Sequence, residues 1–151
     1  MFKIIPLNPS HLDAVCEIET ASFSAPWSRE TLEEDIKKPY SLYFVALENE
    51  RVLGYAGMWH IVGEGHITNI AVKPEERRRG VGEALVDALI DEAVRREIEE
   101  LILEVRVHNY NAQRLYLRKG FILERIRKNY YSDTGEDALI LRKDLGENNG
   151  A

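Results

Sequence analysis

A short basic turn that contains two glycines lies between an apolar strand and a long amphipathic helix. It consists of Arg77, Arg78, Arg79, Gly80, Val81 and Gly82, and Glu83 follows in the first helical turn. Gly80 and Gly82 have no Cβ, so the main chain can approach a ligand closely, and the free amides at a helix start point towards it. The helix dipole and the three arginine side chains add positive charge. The turn therefore predicts an anion site formed by the amides of residues 78–83.

The spacing of this turn narrows the kind of anion that it would bind. The pattern R-x-x-G-x-G is shorter than a Walker loop or a dinucleotide fingerprint, and no Lys-Ser/Thr pair follows it. We therefore expect the diphosphate of a coenzyme rather than a nucleoside triphosphate. The alternative is a solvated helix N-terminus beside a basic surface run.

One carboxylate, Glu104, interrupts an otherwise apolar strand. An ionised carboxylate in that position is costly unless it faces a cleft or has a partner, and desolvation would raise its pKa and make it a better base. Glu104 is therefore a candidate proton acceptor. The alternative is a solvent-facing carboxylate paired with Arg106, since alternation along a strand places both side chains on the same face.

Tyr116 is a candidate proton donor. A phenol has an unperturbed pKa of about 10, so it stays protonated at neutral pH and can donate to a leaving group. The same short helix carries Asn109 and Ala112 one or two turns earlier, so one helix face can direct all three residues towards the same cleft. The alternative is an aromatic core residue whose hydroxyl is hydrogen-bonded.

Other reactive side chains have little support as functional residues. Cys16 is the only cysteine, which excludes an internal disulfide, and its helical pattern favours a small buried thiol over a nucleophile. The four histidines are His11, His60, His66 and His108, and they do not fall at metal-ligand spacing. No metal site is therefore expected.

The length and composition predict one globular domain. A chain of 151 residues can bury about two-thirds of its unfolded surface in a single core. The formal charge of -6 (20 basic minus 26 acidic residues) disfavours general nucleic-acid binding but leaves room for a basic protein substrate. Because no apolar run approaches the roughly 20 residues of a membrane span and no signal-like segment begins the sequence, we expect a cytoplasmic protein.

Alternating strands and helices would position the candidate side chains. Strands are predicted at residues 2–6, 42–48, 52–61, 67–72, 101–107, 121–131 and 137–143, the last two as a hairpin around a turn at 132–135. Helices are predicted from residues 9–10, from Ser28 as N-cap to about Lys37, after the basic turn, and from Asn109 or Asn111 to Lys119.

This order of elements predicts an α/β fold with a mixed, mostly antiparallel seven-stranded sheet and helices on both faces. The helix after the basic turn crosses over the sheet, so the strands at 67–72 and 101–107 should be parallel neighbours. The domain should cover residues 1–145, with a flexible tail at 146–151.

The turn at residues 77–82 resembles the signature Q/R-x-x-G-x-G/A of the GNAT family of N-acetyltransferases, and the order of elements resembles that family over nearly the whole chain. The resemblance implies a fold in which the strands at 67–72 and 101–107 splay apart and the pantetheine arm of acetyl-CoA lies in the opening. It also implies that Ile70, Ala71 and Val72 contact this arm. As plain residues these three indicate only a buried strand.

Further motifs resemble one branch of the family, which acetylates the N-terminal alanine of a small-subunit ribosomal protein. They are Pro26-Trp27-Ser28, Leu103-Glu104-Val105-Arg106, Asn109, Leu115-Tyr116, Lys119-Gly120-Phe121, Asn129-Tyr130-Tyr131 and Gly135-Glu136-Asp137-Ala138. The resemblance implies that Glu104 accepts the amine proton, that Tyr116 protonates the coenzyme thiolate and that Asn109 contacts the coenzyme.

The resemblance also implies that Trp27, Tyr130 and Tyr131 contact the substrate, although the two tyrosines could instead be strand-end aromatics packed on the sheet edge. The predicted function is transfer of an acetyl group from acetyl-CoA to a protein N-terminus, with no membrane and no nucleic acid as a direct partner. Two alternatives stay open: an acetyltransferase for a broader set of N-termini or for a small amine, and a non-catalytic acyl-CoA sensor.

Overall fold

A seven-stranded sheet forms the centre of the computed structural model, which describes residues 1–146. Its strands are β1 (Lys3–Pro6), β2 (Ser41–Glu48), β3 (Arg51–Ile61), β4 (Glu64–Val72), β5 (Glu100–Arg106), β6 (Ile122–Arg127) and β7 (Ala138–Asp144). The α-helices are α1 (Leu12–Ser22), α2 (Arg29–Lys37), α3 (Val81–Arg95) and α4 (Tyr110–Arg118), and 3₁₀ turns lie at Pro9–His11 and Pro74–Glu76. The predicted order of strands and helices is confirmed.

The strands are arranged in the order β1-β2-β3-β4-β5-β7-β6, and each neighbouring pair is antiparallel except β4 with β5. This parallel pair is short. It joins Glu64 to Glu100, Gly65 to Leu101 and His66 to Ile102, and from Ile67 onwards β4 pairs only with β3. The predicted mixed sheet with a splayed parallel pair is therefore confirmed, and the remaining halves of β4 and β5 border an open gap.

Apolar side chains cover both faces of the sheet. On one face α3 buries Leu85, Val86 and Leu89 in the larger of two apolar clusters. On the other face α1 and α2 contribute to a second cluster that consists of buried Val15, Ile18, Leu32, Tyr43, Val45, Val52, Tyr55 and Ala71. The sheet is thus held between helices on both sides, as predicted, because alternate strand residues point to opposite faces.

Capping residues set the ends of two helices near the gap. The Ser28 side chain accepts a hydrogen bond from the amide of Thr31 at the start of α2, and the Asn109 side chain accepts one from Ala112 at the start of α4. Asn109, rather than Asn111, is therefore the N-cap of α4. After α4, Gly120 adopts the left-handed conformation (φ 92°), which costs glycine little.

The last hairpin differs from the prediction. The strand expected at residues 121–131 ends at Arg127, so Tyr130 and Tyr131 lie in a ten-residue loop at 128–137. The turn itself is close to the expected position, since the amide of Gly135 donates to the carbonyl of Tyr131 over 2.7 Å. Of the tail predicted at 146–151, residues 147–151 lie outside the described residues.

Gly65 provides a test of the short parallel pairing. A Cβ at this position would lie 2.5 Å from Leu101 Cδ2 and 2.9 Å from the Met58 sulfur, so Gly65→Ala should displace these two buried side chains beside the paired segment. We expect a loss of about 1–3 kcal/mol in the free energy of unfolding, measured by chemical denaturation.

Gly82→Ala is the matched control for Gly65→Ala, because its Cβ would meet Val72 and Leu115 at 3.7 and 3.8 Å, which is ordinary contact. It should not lower the free energy of unfolding, because alanine favours a helix more than glycine does. Equal stability of the two variants would contradict the close packing at Gly65.

Candidate active site

Two cavities lie along the gap between β4 and β5. One has a volume of about 1000 Å³ and is bordered by the start of α3, and the other, of about 610 Å³, is bordered by β5 and the loop at 128–137. Their shared lining residues are Ser22, Phe23, Ile70, Asn109, Ala112 and Tyr116. The two cavities therefore meet at the gap, and we call them the α3 cavity and the β5 cavity.

The start of α3 presents main-chain amides to the α3 cavity. Its N-cap is Gly80, which has a left-handed φ of 82° and no side chain to bond the first amides, in contrast to Ser28 on α2 and Asn109 on α4. Arg78 also has a positive φ, of 69°. For a residue with a Cβ this conformation is strained, and such strain is common where a loop is shaped for a ligand.

The three arginines of the basic turn have different environments. Arg77 and Arg78 line the α3 cavity, whereas the Arg79 guanidinium binds Glu48 at 2.7 Å and Glu76 at 2.7 Å. Two carboxylates thus offset the charge of Arg79, whereas the charges of Arg77 and Arg78 border the cavity.

Most other residues predicted to bind a coenzyme also border the α3 cavity. Among them are Ile70, Ala71, Val72, Val81, Gly82, Glu83 and Asn109. The Glu83 carboxylate is held by Lys119 at 3.2 Å and Arg118 at 3.5 Å, which connects α3 to α4. Arg118 itself lines this cavity and was not predicted to, because no spacing in the sequence relates α4 to the basic turn.

The β5 cavity brings together Glu104, Tyr116 and the three predicted substrate contacts. Trp27, Tyr130 and Tyr131 all line it. The Trp27 amide donates to the buried Glu19 carboxylate over 2.9 Å, which fixes the loop between α1 and α2 against the sheet. The rings of Tyr130 and Tyr131 meet edge to face at 5.0 Å between centroids. The aromatic residues thus form part of the cavity wall.

Glu104 has two hydrogen-bond partners and does not pair with Arg106. Its Oε2 lies 2.7 Å from His66 Nε2, and its Oε1 accepts from the Tyr130 hydroxyl over 3.2 Å. Burial raises the pKa of Glu104, but the hydrogen bonds from His66 and Tyr130, together with the positive charges of His66 and Arg127, hold the pKa below the ordinary value. The expected net rise in this pKa is therefore wrong: desolvation acts in the predicted direction, but the sequence did not reveal the partners that reverse the shift.

His66 is a site residue that the sequence analysis did not identify. The hydrogen bond to Glu104 raises the pKa of His66, although burial acts in the opposite direction. Its ring also packs edge-on against Trp59, with 5.7 Å between centroids. Register across the parallel strands could have revealed it, since His66 pairs with Ile102, two residues before Glu104.

Tyr116 is buried where the two cavities meet, and burial raises its pKa above the ordinary value. The phenol therefore stays protonated at neutral pH. Its ring packs against Phe121 at 5.7 Å, and its hydroxyl has no hydrogen-bond partner within residues 1–146. The hydroxyl is thus free to donate a proton to a ligand that lies in the gap.

A family comparison agrees with this geometry. Residues 12–121 match the model of the acetyltransferase (GNAT) family, and this range includes the basic turn, Glu104 and Tyr116. The chain belongs to the GNAT family. Relatives found by sequence and by structure also match most of the length of this chain.

The GNAT relatives include enzymes that are named for a ribosomal substrate. The ribosomal protein bS18-alanine N-acetyltransferase of Escherichia coli is 37% identical over 143 residues, which cover 93% of this chain and 96% of the relative. A Bacillus subtilis protein is 41% identical over 137 residues, which cover 90% of this chain and 91% of that protein. The crystal structure of the ribosomal-protein-S18-alanine N-acetyltransferase from Escherichia coli is 35% identical in sequence and superposes with a TM-score of 0.90. The match covers 96% of this chain and 94% of the chain in that structure.

A further solved structure shares the same architecture. Ard1 from Thermoplasma volcanium has a TM-score of 0.88 at 25% identity, and the match covers 95% of this chain and 97% of the Ard1 chain.

Two other properties concern the described part of the chain alone. Within residues 1–146, no helix has the length and apolar character to cross a bilayer, and no three potential metal-ligating side chains are grouped together.

The His66–Glu104 pair in this GNAT protein can be tested by titration. Glu104→Gln should lower the pKa of His66, because the neutral amide cannot maintain the charge-assisted bond and the effect of burial then dominates. The chemical shifts of the histidine ring protons, followed by NMR against pH, give this midpoint.

A His66 midpoint that is unchanged or higher in the variant would contradict the pairing.

Proposed function

We propose that this protein transfers an acetyl group from acetyl-CoA to the N-terminal amine of a protein, and that its substrate is the N-terminal alanine of a small-subunit ribosomal protein. The observation that carries the proposal is that two cavities meet at Tyr116 through the open gap between β4 and β5. Such an arrangement suits a reaction in which donor and acceptor approach from opposite sides.

The α3 cavity is the site of acetyl-CoA. The amides of residues 78–83 hold the coenzyme diphosphate, and Arg77 and Arg78 add charge at its rim. The pantetheine arm extends along Ile70, Ala71 and Val72, on the edge of β4 that no longer pairs with β5, where main-chain groups can bond it in place of a strand. Asn109, at the start of α4, contacts the coenzyme near the gap.

The reaction is a direct attack by the amine on the thioester. The nitrogen lone pair forms a bond to the acetyl carbonyl carbon, and the bond between that carbon and the coenzyme sulfur breaks. Glu104, directly or through water, accepts the proton that the nitrogen loses, and Tyr116 donates its phenolic proton to the departing thiolate. No acetyl-enzyme forms. Cys16 lies on α1 and lines neither cavity, which supports that choice.

The β5 cavity receives the protein N-terminus. Trp27 on one side and Tyr130 and Tyr131 on the other form walls that suit an extended chain end. The ribosomal substrate is supported by the named activity of the Escherichia coli relative at 37% identity. Such a substrate would be met in the cytoplasm, and neither a membrane nor nucleic acid takes part directly.

Two variants test the proton-transfer roles. Glu104→Gln and Tyr116→Phe should each lower kcat by roughly 100-fold or more, because each removes one general acid or base. The affinity for acetyl-CoA, measured by calorimetry, should change by less than about two-fold in either variant. Glu100→Gln on β5 and Tyr110→Phe on α4 are matched controls, since neither residue lines a cavity.

Mass spectrometry identifies the acceptor. Peptides that begin with Ala, Ser or Met are incubated with acetyl-CoA beside a panel of polyamines and aminoglycosides. Acetylation at the α-amine of the alanine peptide is expected. Modification of the small amines alone would favour the alternative acceptor class, and saturable acetyl-CoA binding without any product would favour a sensor.

A further inference from the structure

Arg106 lies two residues after Glu104 on β5, so strand alternation places both side chains on the face that borders the β5 cavity. The acetyl-transfer mechanism does not use Arg106. Its side chain is 25% exposed, and its guanidinium is nevertheless engaged in several directions at once. A half-buried arginine that is bound in this way holds surrounding structure in place.

Among residues 1–146, all of the polar partners of the Arg106 side chain lie in the loop at 128–137. The guanidinium donates to Asp133 at 3.0 and 3.1 Å, to the Thr134 hydroxyl at 3.2 Å and to Glu136 at 3.2 Å. It also stacks over the Tyr131 ring, with 4.0 Å between the guanidinium carbon and the ring centroid. One side chain of β5 thus fixes both the backbone course and an aromatic ring of this loop.

The same loop reaches across the cavity to the opposite wall. The hydroxyl of Ser24, in the loop between α1 and α2, donates a hydrogen bond to Asp133. Ser24, Arg106 and Asp133 all line the β5 cavity. The contact therefore connects the two loops that carry Trp27 and Tyr131, and we call it the Ser24–Asp133 bridge.

The bridge persists over the physiological pH range. Hydrogen bonds from Ser24 and Arg106 lower the pKa of Asp133 to about 2, so the carboxylate stays ionised and keeps both partners. Glu136, the other carboxylate bound by Arg106, also accepts hydrogen bonds from Thr134 and His108. The two carboxylates and the guanidinium of Arg106 therefore keep their charges near neutral pH.

We propose that Arg106 is a positioning residue that sets substrate specificity by holding the Ser24–Asp133 bridge closed over the β5 cavity. The inference rests on the proposed function and goes beyond it. A joined pair of loops does not admit a chain laid in from the side, so the acceptor enters by its free end beneath the bridge. The substrate class is then an N-terminus with several unfolded residues after it.

Three variants separate this role from general stabilisation. Arg106→Lys keeps the charge but loses the fork that binds Asp133, Thr134 and Glu136 together. Ser24→Ala removes only the contact across the cavity, at an exposed position that the fold does not depend on. Arg142→Lys is the matched control, because Arg142 is 31% exposed, pairs with Glu124 and Asp144, and lines neither cavity.

In steady-state kinetics, the KM for the peptide should rise while the KM for acetyl-CoA stays nearly constant. Arg106→Lys should raise the KM for the alanine peptide roughly ten-fold, and Ser24→Ala roughly three-fold, because the loops no longer hold the peptide in place. The KM for acetyl-CoA should change by less than about two-fold in both, and Arg142→Lys should resemble the wild type. An unchanged peptide KM in both variants, or an equal rise in both KM values, would overturn the proposal.

Entry of the acceptor by its free end beneath the bridge is tested with two fusion substrates. The same alanine N-terminus is joined to a folded protein either directly or through a ten-residue Gly/Ser linker. The wild type should acetylate the linked fusion at least about ten-fold faster, and Ser24→Ala should reduce this ratio. Equal rates for the two fusions in the wild type would overturn the proposal that the bridge restricts entry to a free, unfolded N-terminus. Acetylation of neither fusion nor the free peptide would instead overturn the proposed function, and this inference with it.

Discussion

The early end of pairing between β4 and β5 is the constraint on which the site depends. The two strands are held together at only three positions, and main-chain groups beyond them face each other across a gap. Unpaired main-chain groups need other partners, so a gap of this kind suits a ligand with amide groups of its own. The uncapped start of α3 lies at one side of the gap and Glu104 at the other, which gives the two sides opposite electrostatic character.

The pKa shifts at the gap set the protonation states of its two candidate groups and also weaken each of them. The pKa of Tyr116 is raised by burial, so the phenol keeps its proton but is a weaker acid, whereas the pKa of Glu104 is lowered, so the carboxylate is ionised at neutral pH but is a weaker base. The His66–Glu104 pair stabilises the fold only while both groups are charged. That contribution is lost below the lowered pKa of Glu104 and again above the raised pKa of His66.

Local sequence signals predicted the elements but not the contacts between distant segments. The order of strands, the N-cap at Ser28 and the left-handed Gly120 follow from short-range rules and are confirmed. Strand propensity continues to Tyr131, yet β6 ends at Arg127, and the loop that follows is bound by Arg106 from another strand. His66 is 38 residues from its partner Glu104, and Glu48 is 31 residues from its partner Arg79, so no local pattern reveals either pair.

The two cavities are built from different kinds of structure. The α3 cavity consists largely of a strand edge and helix ends that the core holds in place, whereas the side of the β5 cavity that would face an acceptor is formed by two surface loops. Loops tolerate change far better than packed elements do. Evolution could therefore exchange one recipient for another by altering a few loop residues while inheriting the donor half intact, so a single scaffold can diverge into many specialised enzymes.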